Sequence, residues 1–175
     1  MSLLPGLQLL TPRVFADERG HFFESWSAAR FRQDVGDVDW VQDNESMSVR
    51  GTLRGLHYQK EPHAQAKLVR VVVGRVWDVT VDIRPGSATY GQWEGVELSG
   101  ENKHQLYIPK GFAHGFLVLS DHAIFQYKVD APWNRESEAC IRWNDPTLAI
   151  DWPLPESELI ISEKDRDGER LTLDA

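Results

Sequence analysis

A single cysteine, Cys140, stands among 175 residues, so no internal disulfide can form and stability must come from a packed core. That usage fits a reducing, intracellular compartment, and Cys140 itself reads as an inert strand thiol. Basic charge is also scarce: 19 Lys and Arg residues face 27 Asp and Glu, for a net charge of −8. Such a balance argues against non-specific nucleic-acid binding and against docking on an anionic membrane. An anionic small ligand therefore needs a local basic cluster. Long apolar runs are missing. The opening MSLLPGLQLL has no preceding basic residue, is interrupted by Pro5 and Gly6, and lacks a small-residue cleavage site. The expectation is neither signal peptide nor membrane span, with cytoplasmic residence. Repeats, low-complexity tracts and linkers are absent too, so one domain over 1–175 is expected, long enough to bury roughly 70% of its unfolded surface.

What is present is a succession of short β-prone runs between turn residues. KLVRVVV (67–73) and VWDVTVDI (76–83) flank Gly74-Arg75 and read as a tight hairpin. The second run alternates cleanly, with Trp77, Val79, Val81 and Ile83 on one face and Asp78, Thr80 and Asp82 on the other. QWEGVELS, HQLYIP, GFLVLS and AIFQYKVD follow at similar spacing. A helix is expected over about 27–35, with Ser25 or Ser27 as cap, and a helical turn near Ser162. The pattern predicts an all-β chain, an antiparallel sandwich or barrel with a few short helices.

LRGLHYQ (53–59) sets a histidine inside such a run. Strict alternation places Leu53, Gly55, His57 and Gln59 on one face and Arg54, Leu56 and Tyr58 on the other. A barrel with His57, His63, His104 and His114 raises the question of a metal. Gly51 with His57, and Pro109 and Gly111 with His114, resemble the paired motifs of the cupin superfamily. The ligands do not follow. Gln59 stands where a metal cupin has its second histidine, and Lys67, seven residues before Gly74, stands where it has its glutamate. An ammonium repels a divalent cation, so no metal is expected, and Lys67 offers positive charge to a developing oxyanion instead. The fragment DRDG lacks the earlier ligands and closing glutamate of a calcium loop.

The stretches FADERGHFFES, FRQDVG, VQDNESMS, TLRGLHYQ, QAKLVRVVVGRVWDVTVDIR, YGQWEGVELSGENKHQLYIPKGFAHGF and IRWNDPTLAIDWP together resemble the dTDP-4-dehydrorhamnose 3,5-epimerase family, a metal-free cupin branch. The resemblance runs over about residues 5–168. It implies a double-sheet jelly roll and an enzyme without cofactor that inverts the carbons flanking a sugar ketone. Such chemistry needs a base on one face, stabilisation of an enolate oxygen, and an acid on the other face. By resemblance His57 is the base, Asp165 the carboxylate that orients it, Tyr127 the opposite-face acid and Lys67 the group meeting the enolate oxygen. Taken singly, Tyr127 reads as a packing residue, Asp165 as a turn or cap residue and Lys67 as a solvated strand lysine.

The resemblance also implies substrate contacts. Arg19 and Arg54 match diphosphate contacts, for which guanidinium forks are suited. Glu24, Gln42, Asp43, Asn44, His114, Glu138 and Lys164 match other nucleotide-sugar contacts. Trp133 stands where the family commonly stacks an aromatic ring on thymine, although Pro132-Trp133 replaces the paired tyrosines often found there. The substrate implied is dTDP-4-dehydro-6-deoxy-D-glucose and the product dTDP-4-dehydro-L-rhamnose, toward dTDP-L-rhamnose. A homodimer is implied, its N-terminal strands exchanged so that Arg19 and Glu24 complete the partner's site. An epimerase inverting C3 or C5 alone, and a cupin that only binds a sugar nucleotide, remain as alternatives.

Overall fold

A strand of alternating polarity must bury its apolar face against another layer, and this chain does so with two packed antiparallel sheets and a cover over one of them. The computed structural model describes residues 3–172. In chain order the elements begin with β1 (Gln8–Leu10), β2 (Phe15–Asp17), β3 (Gly20–Phe22), α1 (Ala28–Asp34), β4 (Gln42–Val49) and β5 (Thr52–Gln59). There follow β6 (Lys67–Val73), β7 (Arg75–Asp82), β8 (Trp93–Ser99), β9 (Gln105–Ile108), β10 (Phe112–Val118) and β11 (His122–Val129). The chain closes with β12 (Glu138–Cys140), β13 (Ile160–Ile161) and α2 (Glu163–Arg166). One sheet runs β1-β9-β6-β11-β4, the other β12-β5-β10-β7-β8, and β2-β3 form a separate hairpin. This is the double-sheet jelly roll. Both helices are capped where serines stand: Ser27 accepts from the Arg30 amide and Ser162 from the Asp165 amide.

The hairpin expected across Gly74-Arg75 does not form. β6 pairs with β9 and β11, whereas β7 pairs with β8 and β10, so the chain changes sheets at Gly74, where φ is +81°. Turn residues announce a reversal. They do not say whether the flanking runs then pair edge to edge or stack face to face.

Between the sheets lies a core that includes Val69, Val71, Leu106, Ile108, Phe112, Phe116, Val118 and Phe125. Phe116 and Phe125 stack across the two sheets, centroids 4.2 Å apart and planes at 10°. A second core covers the outside of the other sheet, where Leu56, Val79, Val81 and Ala113 meet Ile141, Leu148 and Leu171. The alternation of β7 is thereby resolved. Its apolar residues face this outer cover, and Asp78, Thr80 and Asp82 face inward with Phe116, His114 and Phe112, which lie opposite them on β10.

The cover is tied by Asp145, which is buried and accepts from the amides of Thr147, Leu148 and Leu171. Asp145→Ala orphans these donors, and each buried unsatisfied donor costs about 1–3 kcal/mol. The variant should therefore lose about 3 kcal/mol in denaturant unfolding. Asp145→Asn, which keeps one carbonyl acceptor, should lose less.

Candidate active site

The mouth of the barrel gathers its polar groups through an irregularity in β5. The pairing of β10 with β5 shifts register between His114 and Phe116, so that His57 lies opposite His114 while Arg54 lies opposite Phe116. Both then share the inner face, contrary to strict alternation. A bulge of this kind re-aims side chains next to a site. Gly55 sits at the shift with φ +125°, against the Gly115 backbone, where a Cβ would lie 2.5 Å from the Gly115 Cα. Only glycine meets both demands.

His57 Nε2 lies 2.5 Å from Asp165 Oδ1, joining residues far apart in the chain. Asp165 is buried, placed by α2, which follows β13 directly. Burial alone would raise its pKa, but the hydrogen bond and charge of His57, the hydrogen bond from Ser162 and the charge of Lys164 outweigh it and hold it below the ordinary carboxylate value. An ionised Asp165 accepts, so Nε2 carries the ring proton and Nδ1 presents a lone pair.

Across the barrel, β6 and β11 present their inner faces. Lys67 lies opposite Val129, and Tyr127 opposite Val69 and Asn44, so both project from the sheet facing His57. Desolvation dominates at Lys67 and brings its pKa down to about 8 against the opposing charges of Asp78 and Glu138. Burial raises the Tyr127 pKa, with Arg54 opposing and Glu138 adding to it. His114 is buried with Nε2 2.9 Å from Asp78 Oδ2, and its ring stacks near Phe125 at 6.0 Å.

The edge of the cleft is a charged cluster. Lys164 Nζ lies 2.5 Å from Glu138 Oε1. Burial would raise the Glu138 pKa, but the hydrogen bond and charge of Lys164, a hydrogen bond from Trp133 and the nearby His57 together lower it. Trp133 itself is 56% exposed, an open aromatic face at the rim. Its loop is held by Gln59, whose amide donates to the carbonyls of His63 and Pro132 and accepts from the Asn134 amide. Arg54 Nε donates to Ser48 Oγ at 3.0 Å, and Gln42 Nε2 to Asn44 Oδ1 at 2.8 Å.

Three expected contacts lie elsewhere within this chain. Asp43 points to the outer face, where Lys128 Nζ reaches its carboxylate at 2.9 and 3.0 Å, because its neighbours Gln42 and Asn44 take the inner one. Arg19 bonds Asp17 of its own hairpin and is exposed. Glu24 lines a surface cavity with Trp26 and Arg30. Sequence reasoning missed Asp78, Ser162 and the anchoring work of Gln59. A lone aspartate in a strand gives no sign that a histidine 36 residues away will meet it.

The cupin ligand positions do not suit a divalent cation. Of His57, Gln59, Lys67 and His114, one is an amine, one is an amide committed to three backbone groups, and His114 is engaged by Asp78. An imidazole paired with a buried carboxylate, facing a phenol and an amine across a jelly-roll barrel, is the equipment of an enzyme that moves protons to and from opposite faces of a bound molecule.

Comparison with known proteins narrows the class. The family described as dTDP-4-dehydrorhamnose 3,5-epimerase matches residues 2–172. The chain is 57% identical over 166 residues to the dTDP-4-dehydrorhamnose 3,5-epimerase of Pseudomonas aeruginosa, covering 94% of this chain and 91% of the relative. It superposes on the dTDP-6-deoxy-D-glucose-3,5-epimerase of Legionella pneumophila, solved with dTDP-4-keto-L-rhamnose, with a TM-score of 0.94 at 51% identity, covering 99% and 92% of the two chains. A 3'-monoepimerase from Streptomyces bikiniensis, in complex with dTDP-quinovose, superposes at 0.90 with 35% identity, covering 97% and 87%. The chain belongs to the dTDP-4-dehydrorhamnose 3,5-epimerase family.

The depressed Lys67 pKa has a consequence for stability. Between about 8 and 10.5 the unfolded chain binds more protons at this site than the folded one, so Lys67 makes stability rise with pH across that window. Below it the buried charge carries its full cost. Lys67→Met should raise the free energy of unfolding at neutral pH, by at most about 3 kcal/mol, and flatten the rise. Denaturant titrations at several pH values read both effects.

Proposed function

We infer that this protein inverts C3 and C5 of dTDP-4-dehydro-6-deoxy-D-glucose to give dTDP-4-dehydro-L-rhamnose, a step in making dTDP-L-rhamnose. The observation that carries the reading is the pairing at 2.5 Å of His57, on one sheet, with Asp165 of α2, while Tyr127 and Lys67 stand on the other sheet. His57 Nδ1 takes the proton from the carbon beside the C4 ketone. Electrons of that C–H bond become the enolate, whose oxygen meets the Lys67 ammonium, and ionised Asp165 stabilises the imidazolium. Tyr127, kept protonated by burial, delivers its proton to the opposite face of the same carbon. The centre is inverted, and solvent resets both groups before the second carbon reacts. No cofactor enters any of these steps.

Trp133 is assigned to stack on the thymine ring. Arg54 meets the diphosphate, while Gln42, Asn44, His114, Glu138 and Lys164 line the sugar. Arg19 and Glu24, remote from this cleft, are assigned to a second copy's cleft in a homodimer with exchanged N-terminal strands. The exposure of Phe15 and Phe22 on the β2-β3 hairpin, at 52% and 71%, supports that reading, as apolar arms of this kind call for a covering surface. Among the described residues no helix is long and apolar enough to cross a membrane, and the single free cysteine and the nucleotide-sugar substrate favour the cytoplasm.

Two measurements test the mechanism. In D2O the wild type should exchange deuterium into C3 and C5 with inversion, and His57→Ala should lose both by at least ~10². Tyr127→Phe should still exchange, with retained configuration, while net inversion collapses. Inversion at the normal rate in Tyr127→Phe removes that residue from the mechanism, and exchange at one carbon alone in the wild type identifies a single-centre epimerase. The second measurement is the pH profile. If the Lys67 ammonium serves the enolate, kcat/KM should fall as pH rises through about 8, and Lys67→Arg should carry that limb to higher pH.

A further inference from the structure

The His57–Asp165 pair has a third neighbour that proton transfer does not use. Cys140 stands directly opposite His57 in the β5-β12 ladder, and ligand atoms of His57, Cys140 and Asp165 all lie within 4.8 Å of one another. Imidazole nitrogen, sulfur and carboxylate oxygen form a donor set for Zn2+, which holds them at about 2.0–2.3 Å and tetrahedrally. Around such an ion the donors sit roughly 3.3–3.7 Å apart. The sulfur side must close slightly, and the His57–Asp165 contact of 2.5 Å must open slightly. His57 is 31% exposed on its side chain, which leaves an ion a path inward. Lys164 is paired with Glu138, and burial together with the charges of Asp165 and Glu138 pushes the Cys140 thiol up to about 12 against the opposing charge of Lys164, so the thiol is inert until a cation draws off its proton.

We propose that Cys140, His57 and Asp165 form an inhibitory site for Zn2+ and similar soft divalent cations, distinct from any cofactor role. The mechanism rests on reading His57 as the base. The ion binds Nε2, which must give up its proton, so the ring adopts the tautomer with the proton on Nδ1. Cys140 binds as thiolate and releases its own proton to solvent, one per ion bound. With Nδ1 protonated, the nitrogen facing the sugar has no lone pair and cannot take the substrate proton. Because the ion sits behind the ring rather than in the sugar pocket, it blocks the chemistry and leaves substrate binding intact. Hard cations, which prefer all-oxygen shells, do not suit this set.

The test pairs kinetics with a readout independent of turnover. With Zn2+ held at buffered, saturating free concentrations, wild-type kcat should fall about a hundredfold or more, since the bound protein loses general-base catalysis. KM should stay unchanged, Mg2+ at the same concentrations should do nothing, and a chelator should restore the rate. Cys140→Ser should keep its metal-free turnover and lose most of the Zn2+ sensitivity. Titration of wild-type protein with Co2+ should raise a thiolate-to-cobalt charge-transfer band, absent from Cys140→Ser and from His57→Ala. Undiminished turnover in Zn2+ together with no cobalt band overturns the site, as does full Zn2+ sensitivity in Cys140→Ser. A cobalt band in a protein whose kcat ignores bound metal leaves the site standing and overturns His57 as base.

Discussion

The hydrogen bond from His57 to Asp165 is the constraint on which the rest of the site depends. Its partners are 108 residues apart, so it exists only when the whole C-terminal segment lies correctly over the outer face of the second sheet. Asp145, Trp143, Leu148 and Leu171 fix that cover, β13 then pairs in parallel with the start of β5, and α2 delivers the carboxylate. Folding of the cover and orientation of the imidazole are therefore one event. A carboxylate arriving from a separately packed segment also explains how it stays ionised while buried: every group that lowers its pKa sits on β5 or within α2 and its cap.

The barrel interior is divided along its strands rather than between them. On β6 the inner face passes from Val71 and Val69 to Lys67, and on β11 Phe125 is followed by Tyr127, so a dry floor gives way to a polar mouth within two or three residues. The Phe116–Phe125 stack closes the floor. Above it, Asp78 and His114 form a buried pair, and the Asp78 charge offsets part of the desolvation that lowers the Lys67 pKa. A lysine kept near its titration point is useful for meeting a transient oxyanion and costly to the folded state. Such opposition of stability and activity is common where a site must be polar inside a core.

The rim is built on a different principle. Gln59 commits both ends of its amide to the backbone of the 63 and 132–134 loops, and this rigid mooring leaves the Trp133 ring exposed but placed. Glu138 draws Lys164 and Trp133 together, linking the rim to the helix that carries Asp165. The N-terminal hairpin takes no part in this cleft. Its exposed phenylalanines and the Arg19–Asp17 pair describe an arm that no other surface covers among the described residues.

The sequence by itself determined the strand character of most segments, a serine cap at 25 or 27, a helical turn near Ser162, and the side-chain chemistry available at His57, Tyr127 and Lys67, because period, capping chemistry and side-chain chemistry are local properties. It also marked Gln59 and Lys67 as unsuited to replace a metal cupin's histidine and glutamate, since neither an amide nor an amine supplies an imidazole nitrogen or a carboxylate in any fold. Tertiary structure alone decided which face of β7 turns inward, since alternation is the same read from either side. It decided that Gly74 changes sheets instead of closing a hairpin, and that Arg54 joins His57 because a register shift at Gly55 breaks the period of two. Asp43 was lost to the outer face by the same period of two, one step from Asn44. The proximity of Asp78 to His114, and of Cys140 to His57, was likewise invisible beforehand, because pairing across a sheet is fixed by register, and register belongs to the assembled barrel.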